Sequence, residues 1–442
     1  MPAIQTVEKR GPHTAKSGDV NRLNPLDRPA HDWYRFVLSY PPHLVREYVE
    51  KFSLAPNATV LDPFCGTGTT PVECKKLGLR SIGIEAHPMS HFASATKVDW
   101  QPDPDQLERA ALAVAEKALA ELDRQGVIDD PQPNLLHEAP PSGALESVSP
   151  ERMKLLLANS ISPVPLHKTL VLLRCIESAP ACTSHMRLAL AKALVSSIGN
   201  LHFGPEVGIG PIKPDAPVVS TWLGFVVQMA RDLRRLGGSA STPAVIQHAD
   251  SRQMEHLLQP RSIDAVITSP PYPNEKDYTR TTRLETVLLG FIQSKTDMRA
   301  LKRTMLRSNT RGVYTVDTDD QWVADNPEIQ RIAAAIEARR IELNKTSGFE
   351  RLYARVTKLY FGGMVRHLSE LRPFLRPGAS LAYVVGDQAS YLRVMIRTGQ
   401  ILASLAEKLG YEVDRIDLFR TRLATATREQ LREEVVVLRW RG

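Results

Sequence analysis

The chain has 442 residues, enough for one large core plus a second module, since domains usually run about 100–200 residues. Its hydrophobic fraction of 43% is ordinary for a globular protein, and a net charge of +7 is a modest bias towards polyanions that a bland basic surface would share. No apolar run approaches the roughly 18 residues of a membrane span and no charged-then-apolar leader is present, which argues against membrane insertion or secretion and leads us to expect a cytoplasmic protein.

In chain order, residues 1–28 are polar and punctuated and are expected to form a disordered or loosely docked arm. The apolar strand end Val60-Leu61-Asp62 then runs through Pro63-Phe64-Cys65-Gly66-Thr67-Gly68-Thr69-Thr70 into a helix-like stretch, Val72 to Leu77. Gly66 and Gly68 permit close approach of a ligand to backbone, and the helix N-terminus beyond them favours an anionic group. Pro71 stands where a dinucleotide fingerprint needs its third glycine, which weakens a nicotinamide reading. The next strand, Ser81-Ile82-Gly83-Ile84-Glu85, ends on an acid placed to accept both hydroxyls of a ribose, although a solvated carboxylate would look the same.

Residues 101–244 read as a mainly helical insert. Leu107, Ala111, Val114, Ala115, Ala118 and Leu122 recur at helical spacing, a proline-rich break follows at 131–141, and further helices are expected over 151–157, 166–176, 186–200 and 221–236. Ala244 to Asp250 is a strand ending on an acid; His248 within it reads as a satisfied structural residue, because no acid-base partner stands at a readable spacing. The apolar run Ile263 to Ile267 closes on Thr268-Ser269-Pro270-Pro271-Tyr272. Two prolines fix φ and remove two backbone donors, so the carbonyls of Ser269 and Pro270 can face a pocket as acceptors for an exocyclic amino group, with Tyr272 beside them. Taken alone, the same segment is also an ordinary strand-ending turn. A basic loop is expected over 295–350, whose first part carries Lys295, Arg299, Lys302, Arg303, Arg307 and Arg311 against Asp297. Further strands are expected at 380–387, 411–418 and 433–440, the last two as a possible antiparallel hairpin at the edge. Strands alternating with helices argue for an α/β, doubly wound, mostly parallel sheet with its site at the carboxyl ends of the strands.

The four cysteines, Cys65, Cys74, Cys175 and Cys182, lack the paired short spacings of a zinc site and are too few for a disulfide framework in so long a chain. They read as reduced thiols, and no metal is expected. Cys65, between Phe64 and Gly66, reads as a packing residue.

Together these motifs resemble the S-adenosylmethionine-dependent DNA amino-methyltransferases, which methylate N4 of cytosine or N6 of adenine. DPFCGTGTT is similar to their cofactor loop, SIGIE to the strand with the ribose-binding acid, and TSPPY to the catalytic tetrapeptide in the serine form that leans towards cytosine N4. Upstream, His31-Asp32-Trp33-Tyr34-Arg35-Phe36 and Ser39-Tyr40-Pro41-Pro42 resemble the leading motif beside the methionine end of the cofactor. The resemblance covers about 31–100 and 245–292, and less distinctly 351–440. It implies a Rossmann-like methyltransferase domain in two parts, 29–100 and 245–442, with the insert 101–244 as candidate target-recognition module.

It further implies S-adenosylmethionine held by Tyr34, Ser39, Asp62, Phe64, Gly66, Gly68, Thr69, Thr70 and Glu85, with Asp250 at the adenine amino group. Ser269, Pro270, Pro271 and Tyr272 would be the catalytic group. Double-stranded DNA is the implied partner, with a cognate restriction endonuclease as a further one and the oligomeric state open; Arg280, Arg283, Arg299, Lys302, Arg303, Arg307, Arg420 and Arg422 are the candidate phosphate contacts, although a solvated helix face would have the same composition. The rival readings are adenine-N6 methylation on the same scaffold, an RNA guanine-N2 methyltransferase, and a nucleic-acid binding protein that has lost catalysis.

Overall fold

The structure, a computed structural model, describes residues 23–35, 39–129, 144–204, 206–273, 276–423 and 430–442. Most of the expected N-terminal arm, the proline-rich break at 131–141 and residues 424–428 between the last two strands lie outside these. Nine strands are described: β1 (Thr59–Asp62), β2 (Arg80–Glu85), β3 (Leu201–Phe203), β4 (Val207–Ile209), β5 (Ala244–His248), β6 (Ile263–Thr268), β7 (Leu375–Gly386), β8 (Tyr411–Leu423) and β9 (Gln430–Trp440). Seven of them form one sheet in the order β5-β2-β1-β6-β7-β9-β8. The first five in that order are mutually parallel, so Asp62, Glu85, Thr268 and Gly386 all finish at the same edge. β9 runs antiparallel between β7 and β8. The expected terminal hairpin is therefore present, with its second arm inside the sheet and its first at the edge.

Period-two alternation explains why both faces are covered. Val60, Ile267, Ala382, Val384, Val435 and Val437 pack under the helix Pro42–Lys51, whose Leu44, Val45 and Tyr48 are buried there. Their sequence neighbours Leu61, Val266, Leu381, Tyr383, Val436 and Leu438 point the other way, against helices Tyr353–Leu371 and Thr398–Lys408. A sheet buried on both faces is the arrangement that parallel strands require.

The insert is helical as its periodicity predicts, with Pro104–Arg124, Pro163–Glu177, Thr183–Ala193 and Val219–Leu236 as its long helices. It also contains an unforeseen two-stranded sheet, β3 with β4. No seam separates it from the rest: a single apolar cluster joins Trp33, Val72, Met89 and Ala93 to Leu107, Leu172, Leu190 and Trp222 and on to Leu284 and Leu288. The indole N–H of Trp33 donates to Asp232 at 2.9 Å, which pins the first segment to the last insert helix.

The stretch 295–350 departs from expectation. It is not a loop but two helices, Lys295–Thr304 and Pro327–Glu342, joined by short 3-10 turns. Ser294 and Asp297 form a reciprocal capping box that starts the first, and Asn326 caps the second. No helix among the described residues is long and apolar enough to cross a membrane.

Candidate active site

The carboxyl edge of the sheet opens into a cavity of about 980 Å³. At one end its wall is made by Ser39, Phe64, Gly66, Thr69 and Glu85, and at the other by Ser269, Pro270, Pro271 and Tyr272. The two sequence motifs thus share one space although some 200 residues separate them. Hydrogen bonds fix their relative position. Thr268 Oγ1 donates to Asp62 Oδ1 at 2.6 Å, and Thr70 Oγ1 donates to the carbonyl of Ile267 at 2.9 Å.

The glycine turn has the geometry its sequence requires. Gly66 and Gly68 lie at φ +52° and +87°, and a Cβ on Gly68 would meet Cβ of Ser94 at 3.0 Å. Lys97 is buried and donates from Nζ to the carbonyl of Thr67 at 2.7 Å, holding the turn from below; burial lowers its pKa to about 7. Glu85 receives the N–H of Gly66 at 2.8 Å on one oxygen and that of His87 at 2.7 Å on the other. Burial raises its pKa to about 7 against these two donors. Cys65 is buried against Gly83, and burial holds its thiol well above the usual range, so it is a packing residue with no nucleophilic character.

His87 is a wall residue that sequence reasoning passed over. The proton of Thr282 Oγ1 goes to the carbonyl of Tyr278 at 2.8 Å, so the 3.1 Å contact from His87 Nε2 must have the imidazole as donor. Burial lowers the pKa to about 4, so the ring is neutral and its Nδ1 is a bare acceptor. That atom is buried without a partner among the described residues. The signal was Pro88, which starts the helix Pro88–Val98 and makes His87 its N-cap.

At the other end Ser269 Oγ donates to the carbonyl of Val384 at 3.2 Å. A carbonyl cannot donate, so the hydroxyl proton is committed there and the oxygen lone pairs are left as acceptors. Tyr272 lies on Gly386: a Cβ at that position would stand 2.8 Å from Cε2 of the ring. Only glycine permits so close an approach.

Other expected ligand residues are placed behind the wall. Asp62 is fully buried, receives the N–H of Phe64 and the hydroxyl of Thr268, and is pushed by burial up to about 6. Tyr34 bonds Glu285, Thr70 bonds Tyr40 and Ile267, and Gly68 packs on Ser94. Asp250 does not face the cavity, because Arg252 takes both its oxygens, at 2.9 Å and 2.7 Å, while the neighbouring Ala249 and Ser251 form the wall.

The expected DNA-binding cations also divide. Arg420 and Arg422 line the cavity, the first holding Glu433 through two bonds of 2.6 and 2.9 Å. Arg299 and Arg303 are exposed on the helix Lys295–Thr304. Arg280 stands apart from the cavity wall, with its Nε buried and unpartnered among the described residues. Three others are committed to the protein. Arg283 donates to the carbonyls of Thr279 and Leu155, and Lys302 pairs with Asp277 at 3.1 Å. Arg307 is buried, grips Asp317 at 2.7 and 2.8 Å and donates to the carbonyls of Lys302 and Met305, closing the C-terminus of the preceding helix Lys295–Thr304.

A mostly parallel sheet with a glycine turn after β1, an acid ending β2 and an acceptor turn after β6 is consistent with a Rossmann-like methyltransferase fold. Comparison with known proteins narrows the class. Residues 8–94 match a family described as DNA methylase. The type II methyltransferase M.BsoBI of Geobacillus stearothermophilus is 24% identical, the match covering 92% of this chain and 84% of that protein. The type II methyltransferase M.AvaI of Nostoc sp. is 23% identical over 94% and 86%. M.MjaII of Methanocaldococcus jannaschii is 31% identical over 20% and 16%. Over these spans the chain is similar to the DNA amino-methyltransferases, whose methyl donor is S-adenosylmethionine. The cavity suits that donor: its size is ample for a nucleoside with an amino-acid tail, and Glu85 and the bare Nδ1 of His87 are acceptors for hydroxyl or amino groups.

Proposed function

We propose that this protein methylates N4 of cytosine at a defined sequence in duplex DNA, as the modification partner of a restriction endonuclease. The observation that carries the reading is Ser269 at the end of β6, a neutral acceptor whose own proton is taken by Val384. A cytosine amino nitrogen is a poor nucleophile because its lone pair is delocalised into the ring. Acceptors on both of its N–H bonds push it towards tetrahedral geometry, and the oxygens proposed here are Ser269 Oγ and the Pro270 carbonyl. Tyr272, seated on Gly386, stacks on the base, a contact worth about 1–3 kcal/mol.

When bound, S-adenosylmethionine supplies an activated methyl group. The chain's part is to place the amino nitrogen in line with it. Glu85, Gly66, Phe64, Thr69 and Ser39 are the residues proposed to hold the cofactor, and Arg420, Arg422, Arg299 and Arg303 those proposed to meet DNA. The insert 101–244 remains our candidate for target recognition. Its packing into the main core favours a rigid reader over a tethered one.

Nucleoside analysis of DNA from a host expressing the protein tests the assignment. N4-methylcytosine is the expected product; N6-methyladenine would move the reaction to the other amino base, and methylated guanine in RNA would overturn it.

A further inference from the structure

Among the large hydrophobic side chains that stand exposed on the described surface, Phe349 alone lines the cavity. Its ring is 54% exposed. It ends a stretch, residues 341–349, in which every side chain is exposed, just before the buried helix Tyr353–Leu371. Behind it the guanidinium of Arg311, also on the cavity wall, sits 5.8 Å from the ring centroid. Arg311 is exposed and has no carboxylate partner among the described residues, unlike Lys302 and Arg307 on the same segment. At the foot of the lip Tyr353 stacks on Tyr391 with centroids 4.6 Å apart, which gives the segment a rigid base.

We propose that Phe349 is a wedge that occupies the base stack when the target nucleotide swings into the cavity, with Arg311 holding the phosphate beside the gap. This rests on the reading above that a base must leave the duplex, and holds for either amino base. An extruded base leaves unpaired, unstacked neighbours, and a planar apolar side chain that enters the vacancy recovers part of the forfeited stacking. A phenyl ring held at the mouth of the cavity by a cation is chemically matched to that task. The same cation gains a phosphate without giving up an ion pair with a protein carboxylate.

The test uses the full-length protein, S-adenosylmethionine and duplexes bearing a site mapped by sequencing of the host DNA. Phe349→Ala should lower kcat/KM on the matched duplex by tenfold or more and abolish the fluorescence rise of 2-aminopurine placed at the target. On a duplex whose target base is mismatched, where extrusion is easier, most of the rate should return, and Phe349→Trp should behave nearly as the wild type. Cofactor affinity should be unchanged, which reports an intact fold. An unchanged rate on the matched duplex, or an equal loss on matched and mismatched duplexes, would overturn the wedge. Absence of any DNA methylation by the wild type would instead overturn the proposed function.

Discussion

On the cofactor side of the cavity, position is set by backbone: two glycines at positive φ, a carboxylate holding two peptide N–H groups, and a buried lysine on a carbonyl. On the opposite side, position is set by side chains pairing with side chains, as in Arg420 with Glu433 and Lys302 with Asp277, with Arg307 and Asp317 paired behind the wall. A wall built from backbone tolerates little change in shape. A wall built from ion pairs can be rewritten residue by residue, which suits the side of a DNA enzyme that meets different sequences.

The comparison breaks most visibly at Arg307. Removal of this buried guanidinium leaves Asp317 without its cation and the helix end uncapped, and Arg307→Ala should cost about 3–5 kcal/mol of stability in a denaturant titration. Burial alone would raise the pKa of Asp317, and Arg307, the N–H of Tyr314 and the charge of Arg355 together give a lowered value. A drop in DNA affinity at unchanged stability would restore Arg307 to the phosphate-binding set.

The backbone wall is tested next. Glu85→Ala should weaken S-adenosylmethionine binding by the equivalent of about 1.5–3 kcal/mol, measured by calorimetry. Because burial lifts the Glu85 pKa to about 7, the carboxylate proposed to accept ribose hydroxyls is present above pH 7. Cofactor affinity should therefore fall as pH drops through 7, by up to about tenfold per unit, whereas Glu85→Gln should bind weakly and without that slope. The sign for the empty protein is the reverse: a raised folded value makes the carboxyl's contribution to stability decline as pH rises from its ordinary range to 7. A flat affinity profile between pH 6 and 8 would remove Glu85 from the cofactor.

Tyr272→Ala separates the two ends of the cavity. Turnover should fall by the roughly 1–3 kcal/mol of a missing stack while cofactor affinity holds. Equal weakening of both would mean that the ring braces the cofactor side. The smallest effect is expected at the exposed pair Arg299 and Arg303. Neutralising both should leave sequence preference intact and flatten the slope of log K against log salt by about 0.9 for each phosphate no longer engaged. A changed recognition sequence would make that helix a base reader.

The sequence disclosed the site where its geometry is local. Gly66-Thr67-Gly68, the acid ending SIGIE and the Ser-Pro-Pro-Tyr turn each encode a backbone shape within a few residues, and the cavity contains all three. It did not disclose partners that arrive from elsewhere in the chain. Asp62 reads as a ligand, but it is buried behind the cavity wall, where Thr268, 206 residues on, bonds one of its oxygens, and Arg252 takes both oxygens of Asp250. Basic residues are harder still, because composition is blind to which way each side chain turns: Arg303, near the end of its helix, is exposed and Arg307, just past that end, is buried. Helices Pro327–Glu342 and Tyr353–Leu371 were likewise not individually foreseen, since their burial depends on a sheet face formed by other segments.

The bonds from Thr268 to Asp62 and from Thr70 to Ile267 rivet the cofactor turn to the strand that carries Ser269. A displacement at one end is thereby imposed on the other, and the two ligands are not independent thermodynamic events. Whatever factor S-adenosylmethionine adds to the affinity for DNA, DNA must return to S-adenosylmethionine, because the cycle of four states closes. Cutting one rivet with Thr268→Val should reduce both factors together. The enzyme would then sort its substrates less by order of arrival, and the gap in DNA affinity between the cofactor-free and cofactor-loaded protein would narrow by the same ratio as the gap in cofactor affinity between free and DNA-bound protein.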